Sequence, residues 1–367
     1  MTVYLSGIGK ALPVHVLSQP DALRMAQRLL ADRFGDLEWL EAIYRRSGIE
    51  ARRSVLVWNA DAQPADGLFH SAAGHEPGWC GPGTGARMKV FEACAPGLAV
   101  QAARQSLAAA GVGADEIAHV VTVCCTGFAS PGVDAALVKE LGLRASVGRT
   151  HVGFMGCHGA LNGLRVAAAH AAAGPVLVVC VELCTLHFQY SSDAERLVAN
   201  ALFADGAAAA VVSNRASPGG VRLGQSFSML IPETAALMSW RIGDAGFEMG
   251  LSSRVPGVIR DGIEPVVHGW LDGVGVERES ITQWCVHPGG PKVLDAVRDG
   301  LDLDDAALTA SRAVLRDYGN MSSPTVLFIL DQILQSQLPR SGQTSCIPML
   351  AFGPGLTIEG LMLHTGE

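Results

Sequence analysis

Residues 175–182 read Pro-Val-Leu-Val-Val-Cys-Val-Glu, a run with no polar side chain until its last position. A strand with one face in water alternates polar and apolar residues, whereas an unbroken apolar run needs cover on both faces. This run is too short to cross a bilayer, and no uninterrupted apolar stretch in the chain reaches the roughly 20 residues that spanning requires. The chain therefore calls for a buried sheet with helices on either side. A second run of the same kind, Val120-Val-Thr-Val-Cys-Cys125, stands between an Ala-rich helical pattern at 93–110 and another helix at 133–141, which is an α/β arrangement.

The remaining patterns extend that theme. A strand covers 2–8, helices cover 19–33, 37–46 and 192–203, and Asp205-Gly206 introduces a strand at 207–212. Residues 54–84, with Trp58 and Trp79 and several Gly and Pro, have no clean period and read as a long irregular loop. Later come strands near 220–228 and 281–286, helices near 251–260, 291–299, 305–316 and 322–335, and terminal strands near 346–351 and 356–363. The two halves repeat a comparable order, and the Gly, Ser and Pro of 213–219 mark the boundary between residues 1–213 and 214–367. With 367 residues, 49% of them hydrophobic, the chain is long enough for a large core shared by two subdomains.

Composition removes several classes of function. A net charge of −8 with only 27 Lys and Arg argues against a nucleic-acid surface, although Arg45, Arg46, Arg52 and Arg53 form a local basic group. Nine cysteines, odd in number and mostly set in apolar runs, suit reduced thiols in a cytoplasm. The N-terminus lacks the basic and apolar regions of a secretory signal. No Gly-rich dinucleotide fingerprint or phosphate loop is present, since Gly81-Pro-Gly-Thr-Gly85 lacks a lysine and a strand context. His151 and His158 do not complete a metal set with Cys157, because adjacent Cys and His cannot readily share one tetrahedral site.

The chemistry centres on Cys157. The run before it is short and broken by Gly, and the run after it carries Leu161, Leu164, Ala168 and Ala171 at helical spacing, which places the thiol at the start of a buried helix. Free N–H groups and the helix dipole favour a thiolate there. The plainer reading is a small core hydrophobe. Two further segments share its build of strand, polar residue and Gly or Ser: Cys285-Val286-His287-Pro288-Gly289-Gly290 and Tyr318-Gly319-Asn320-Met321-Ser322-Ser323. A core histidine at 287 is costly unless paired, while Asn320 could serve locally as a helix N-cap. Together, Cys157, His287 and Asn320 supply the nucleophile, imidazole and neutral amide of a cysteine acyl-transfer site suited to thioesters. Glu182, at the end of the apolar strand, reads as a structural, orienting carboxylate near that site, with a surface position as the alternative.

The motifs Gly156-Cys157, Ala201-Leu-Phe-Ala-Asp-Gly-Ala-Ala-Ala209, Val286-His-Pro-Gly-Gly-Pro-Lys-Val-Leu-Asp295, Asp317-Tyr-Gly-Asn-Met-Ser-Ser323 with Val326-Leu-Phe-Ile-Leu-Asp331, and Phe352-Gly-Pro-Gly-Leu-Thr357 occur in that order. In this ordered set the chain resembles the type III polyketide synthases, the chalcone-synthase-like branch of the thiolase superfamily, from about residue 3 to 363. The resemblance implies a homodimer with an αβαβα core and no cofactor beyond CoA thioester substrates. It implies acylation of Cys157 by a starter acyl-CoA. His287 and Asn320 would promote decarboxylation of malonyl-CoA and stabilise the enolate, which then extends the chain repeatedly before cyclisation to a pyrone or phenolic product. It also implies a gatekeeper role for Phe203, a substrate-cavity wall that takes in Glu182, Gly353, Pro354 and Gly355, and CoA phosphate contacts at Arg46 and, less directly, Arg52.

The chain departs from plant chalcone synthases at Cys184 and His187, where those enzymes line the cavity with threonines. It departs again at Met249, in place of a second gatekeeper phenylalanine, and at Ser130, in place of a methionine that crosses the dimer. A chalcone product is therefore not implied. Two competing readings remain: a single-round ketoacyl-ACP synthase III-like enzyme using an acyl carrier protein, and an inactive thiolase-fold interaction protein.

Overall fold

The computed structural model describes residues 1–30, 35–57, 68–69, 79–216, 219–336 and 345–366. Trp58, the last residues of the helix expected to 33, most of the expected loop and two residues of the 213–219 boundary lie outside them.

The chain opens with β1 (Val3–Ala11), β2 (His15–Ser18), α1 (Gln19–Leu30), α2 (Leu37–Arg45) and β3 (Ala51–Ser54). There follow α3 (Thr84–Ala110), β4 (His119–Cys124), α4 (Val133–Leu141), β5 (Gly148–Gly153), α5 (Gly159–His170), β6 (Val176–Leu183), α6 (Ala194–Leu202) and β7 (Asp205–Ser213). The remainder comprises β8 (Val221–Leu230), β9 (Met238–Gly243), β10 (Gly246–Leu251), α7 (Val255–Val274), β11 (Cys285–Val286), α8 (Pro291–Gly300), α9 (Thr309–Tyr318), α10 (Thr325–Ser336), β12 (Ser345–Gly353) and β13 (Thr357–Thr365).

Nine strands form one sheet in the order β11-β12-β13-β8-β1-β7-β6-β4-β5. β1 joins its two wings, pairing antiparallel with β7 along most of its length and with β8 at Val3–Leu5. All eight residues of β6 are buried, residues 176–181 as their apolar run requires and Glu182 along with them. Leu177, Val179 and Val181 face α3, with Phe91, Ala99 and Ala103, while Val176, Val178 and Cys180 face α5 and α10. On the other wing, Ile347, Met349 and Ala351 of β12 meet the same two helices, and Leu350 and Phe352 pack under α7 and α8. The result is five alternating layers, αβαβα, with α5 and α10 in the middle. Leu164 and Ile329, both fully buried in that layer, each contribute about 1.5–3 kcal/mol by leaving water.

Several elements differ from their sequence reading. α3 begins at Thr84 rather than 93 and passes through Pro96, whose lost N–H is outweighed by buried Phe91, Ala95, Leu98 and Ala99. α7 runs to Val274 across Pro265, and the strand expected at 281–286 contracts to Cys285–Val286. α10 starts at Thr325, three residues later than read, and the pairs β2–β3 and β9–β10 were not foreseen. Among the described residues, no helix is long and apolar enough to cross a membrane.

Candidate active site

Cys157 is placed by a sharp change of direction after the edge strand β5. Gly156 has φ +74°, a conformation that L side chains rarely adopt, and a Cβ there would lie 2.5 Å from Cδ of Pro354. A single 3-10 turn, Gly156–His158, then leads into α5. Cys125, next to the end of β4, accepts the Gly156 N–H on its sulfur at 3.0 Å and so ties the turn to the sheet. On the other side, the buried ring of His158 packs against Gly353, where a Cβ would fall 2.2 Å from Cδ2. The Gly353-Pro354-Gly355 turn therefore grips the residues on both sides of the nucleophile, and only Pro354 of the three faces the open space beside it. His158 Nδ1 lies 2.7 Å from Oδ1 of Asn162, whose Nδ2 donates to Glu359 at 3.0 Å, and Arg165 donates to the same carboxylate at 2.8 Å.

Asn320 arrives from the far half of the chain. Its backbone N–H donates to Leu202 O, and its carbonyl accepts from Ala204, which bridges it to Phe203. Its Oδ1 accepts from Ser322 N at 2.8 Å, so the residue closes a local turn and is not the N-cap of α10. Ser322 holds φ +59°, uncommon for a residue with a side chain, and lines the space beside Cys157. Burial dominates at the Cys157 sulfur and raises its pKa, while Ser322 and, less strongly, Asn320 pull it down. Asn320 Nδ2 also reaches Gly289 O at 3.5 Å, in the loop that follows His287. His287 is buried with neither Nδ1 nor Nε2 hydrogen-bonded.

Charge at this site is governed by burial. Burial pushes the Cys157 thiol up to about 11, with the nearby Glu182 carboxylate adding to the rise. It pushes His287 down to about 3. The thiolate expected from the helix start alone is therefore not the resting form, because desolvation outweighs the dipole. Burial thus disfavours the charged form of both groups.

Glu182 is fully buried and lines neither cavity, so its expected place in the substrate wall gives way to a structural hub. It accepts from Cys125 N at 2.9 Å, Thr126 Oγ1 at 2.7 Å, Ser323 Oγ at 2.7 Å and Cys124 Sγ at 3.6 Å. One carboxylate thus joins β4, β6 and the approach to α10. Burial raises its pKa to about 6 against the pull of these donors.

Arg52 also departs from the expectation of a CoA contact. It is 3% exposed, and its Nη1 donates at 2.7 Å to the carbonyls of Asn200 and Phe203. A guanidinium turned inward onto backbone oxygens cannot meet a solvent-side phosphate. Arg46, the cap residue of α2, is exposed.

Two spaces adjoin the site. The one beside Cys157, of about 360 Å³, is bounded by Cys125, Ser322, Met238 and Pro354. The other, of about 530 Å³, lies toward α1, α2 and α6. Cys184, Phe203, Trp240 and Met249 line both and form the partition. Trp240 was missed in the sequence. Its Nε1 donates to Cys125 O at 2.8 Å and its ring meets Phe203 edge-on at 6.1 Å, contacts between segments far apart in the chain that leave no local signature.

His187 lines the second space with both nitrogens engaged: Nε2 donates to Thr126 O at 2.7 Å, and Nδ1 accepts from Phe247 N at 2.9 Å. Burial depresses its pKa to about 3, below the ordinary 6.5. Between those values the unfolded chain binds more protons, so this contribution to stability is full above about pH 6.5 and is lost as pH falls toward 3, at roughly 1.4 kcal/mol per unit. Urea unfolding at pH 7 and pH 5 should therefore show His187→Gln losing about 2 kcal/mol less than wild type over that interval. Equal losses would mean that the ring is not held neutral.

Comparison with known proteins accords with this geometry. The family model for the N-terminal domain of chalcone and stilbene synthases matches residues 73–216, and that for the C-terminal domain matches 222–366. The chain is 34% identical to the alpha-pyrone synthesis polyketide synthase-like Pks18 of Mycobacterium tuberculosis, over 98% of this chain and 90% of that one. It is 32% identical to the 1,3,6,8-tetrahydroxynaphthalene synthase of Streptomyces peucetius, over 98% and 92%. Among solved structures, PKS-I of the brown alga Ectocarpus siliculosus superposes with a TM-score of 0.90 at 31% identity, over 100% of this chain and 99% of that one. The C-terminal type III polyketide synthase domain of Steely1 from Dictyostelium gives 0.88 at 28% identity, with both chains covered fully. The chain belongs to the chalcone and stilbene synthase family and is a type III polyketide synthase, an acyltransferase that forms carbon–carbon bonds.

Proposed function

We propose that Cys157 is acylated by a starter acyl-CoA and that the bound acyl group is extended by repeated decarboxylative condensation with malonyl-CoA, then released by cyclisation as a pyrone or phenolic product. The observation that carries this reading is His287, the one described residue with two buried side-chain atoms lacking a partner. A neutral imidazole left unsatisfied beside a nucleophile's loop costs folding free energy and is explained by a group that binds it during the reaction.

In loading, His287 takes the Sγ proton, the thiolate attacks the thioester carbonyl, the bond to the CoA sulfur breaks, and imidazolium returns the proton to the departing CoA. In extension, the malonyl carboxylate leaves as carbon dioxide and its bonding electrons pass into an enolate. The enolate oxygen accepts hydrogen bonds from His287 and Asn320. The enolate carbon then attacks the acyl carbon, and the bond to Sγ breaks to regenerate the thiolate. Arg46, exposed at the end of α2, is the residue we assign to the CoA phosphates. The edge strand β5, with Phe128 39% and Met155 37% exposed nearby, supports a homodimer formed on that side. A carrier protein would present the same thioester.

Intact-protein mass spectrometry with a panel of acyl-CoA starters and malonyl-CoA tests this directly. An acyl adduct on the peptide bearing Cys157, followed by released products grown by successive two-carbon units, is expected. A single extension that requires a carrier-bound malonyl group would replace this reading with a single-round condensing enzyme. No adduct from either CoA or carrier thioesters would overturn it.

A further inference from the structure

We propose that His158 is a positioning residue for the proton transfer at His287, and that Arg165 keeps its ring uncharged by pairing with Glu359; the inference rests on the reading above that His287 takes the Cys157 proton.

The spacing of this array is written in the sequence. His158, Asn162 and Arg165 stand at i, i+4 and i+7, which puts all three on one face of α5 and its first turn. That face meets β13, where Glu359 sets a carboxylate only 2% exposed into a buried strand. Arg165 holds it with two N–H groups, Nη1 on Oε2 at 2.8 Å and Nη2 on Oε1 at 3.3 Å. The same Oε1 accepts from Asn162 Nδ2 at 3.0 Å.

These bonds fix the tautomer of the histidine. An ionised carboxylate only accepts, so the amide nitrogen of Asn162 faces Glu359 and its oxygen faces His158. Nδ1, 2.7 Å from that oxygen, therefore carries the hydrogen, and the neutral ring keeps a bare lone pair on Nε2. On its other side the ring fills the space that a Cβ on Gly353 would take, with Cδ2 and Nε2 both against that glycine. The residue that follows the nucleophile is thus held in one orientation and one protonation state.

Among the described residues, the charged and titratable groups that act on this ring come from three elements: Arg165 on α5, Glu359 on β13 and His287 after β11, while β12 contributes the uncharged Gly353. Burial is the largest influence and disfavours a proton on His158, bringing its pKa below the ordinary 6.5; the Asn162 bond and Glu359 favour one, and Arg165 opposes it. His287 is in turn held low first by burial and then by His158. A charge fixed on His158 would therefore make His287 a poorer proton acceptor. Arg165, by offsetting Glu359, keeps that acceptor open.

The test is the pH dependence of iodoacetamide alkylation at Cys157, followed by intact mass from pH 5 to pH 8 in wild type, Arg165→Met, Glu359→Gln and the double variant. The wild-type rate should fall on the acid side through a midpoint below 6.5. Arg165→Met should raise that midpoint by about half a unit, a modest shift because the guanidinium is 41% exposed. Glu359→Gln should lower it by a similar amount, and the double variant should return it to near the wild-type value. Loosened packing would move both single variants the same way, so the opposite signs are what a positioning role demands. A midpoint unmoved in either folded single variant, or displaced in one direction by both, overturns the inference. If neither single variant folds, His158→Phe decides, since it keeps an aromatic ring and should erase the acid limb; a limb that persists overturns the inference. Wild-type alkylation rates in His287→Ala would instead overturn the parent reading, whatever the midpoints do.

Discussion

Cys157→Ala protein is expected to form no covalent acyl adduct and to release no extended product from any starter, because among the described residues no other thiol beside that space has both Ser322 and Asn320 favouring its ionised form. His287→Ala should leave the thiol in place but lower its reactivity. At neutral pH the isolated sulfur is a thiol, since burial holds it near 11, and the proton has no acceptor once the imidazole is gone. The rate of alkylation by iodoacetamide at Cys157, and kcat/KM for starter loading, should both fall by about 10²–10⁴. Raising the pH should recover part of the variant's alkylation rate, because hydroxide replaces the missing base. A His287→Ala protein that alkylates as fast as wild type at pH 7 would refute the shared-proton account. Asn320→Ala should act later in the cycle, sparing the adduct and slowing extension by about 10²–10³, the usual cost of one lost oxyanion donor.

The second large effect is on folding. Glu182→Ala removes one carboxylate and strands the four donors that it satisfies, in a site with no access to solvent. Each orphaned donor costs about 1–3 kcal/mol, and their sum is comparable to the whole stability of a domain, about 5–15 kcal/mol. The variant should fail to accumulate as soluble folded protein. Glu182→Gln keeps the volume and one acceptor oxygen and should fold. Its lost negative charge no longer opposes ionisation of Cys157, so alkylation of that thiol should be faster than in wild type at pH 7. If Glu182→Ala melts within about 3 °C of wild type, the hub is not structural; if Glu182→Gln shows no gain in alkylation, its field does not reach the sulfur.

The sheet was legible where burial alone shapes the sequence. Val120, Val121 and Val123 of β4 and residues 176–181 of β6 are apolar because they are covered on both sides, and α4 is read to its last residue because Gly142 ends it in the left-handed conformation. The start of α3 was hidden because Gly83, Gly85 and Pro96 resemble breakers, whereas Gly83 caps the helix. The β9–β10 hairpin was hidden because its turn lacks a strong two-residue signal and because Arg241 and Ile242, successive residues on opposite faces, are both exposed, so polar and apolar positions do not alternate with burial. The nucleophile's surroundings followed from motif order, but its protonation did not. That depends on burial, and on the Glu182 carboxylate, Ser322 and Asn320 brought close only by the fold. Arg52 and Arg46 look alike in sequence, and tertiary packing turns one inward and leaves the other in water.

The middle layer has one further consequence. α5 begins just after Cys157, and α10 begins just after Asn320 and Ser322, so the reacting end of the thioester is held by the one layer that touches both wings of the sheet. The partition is supplied from outside that layer, by β10, the hairpin residue Trp240 and the end of α6. Descendants of this chain can therefore exchange their choice of acyl group through a few peripheral substitutions while inheriting the bond-forming step unchanged, and a change in the middle layer would forfeit every substrate at once.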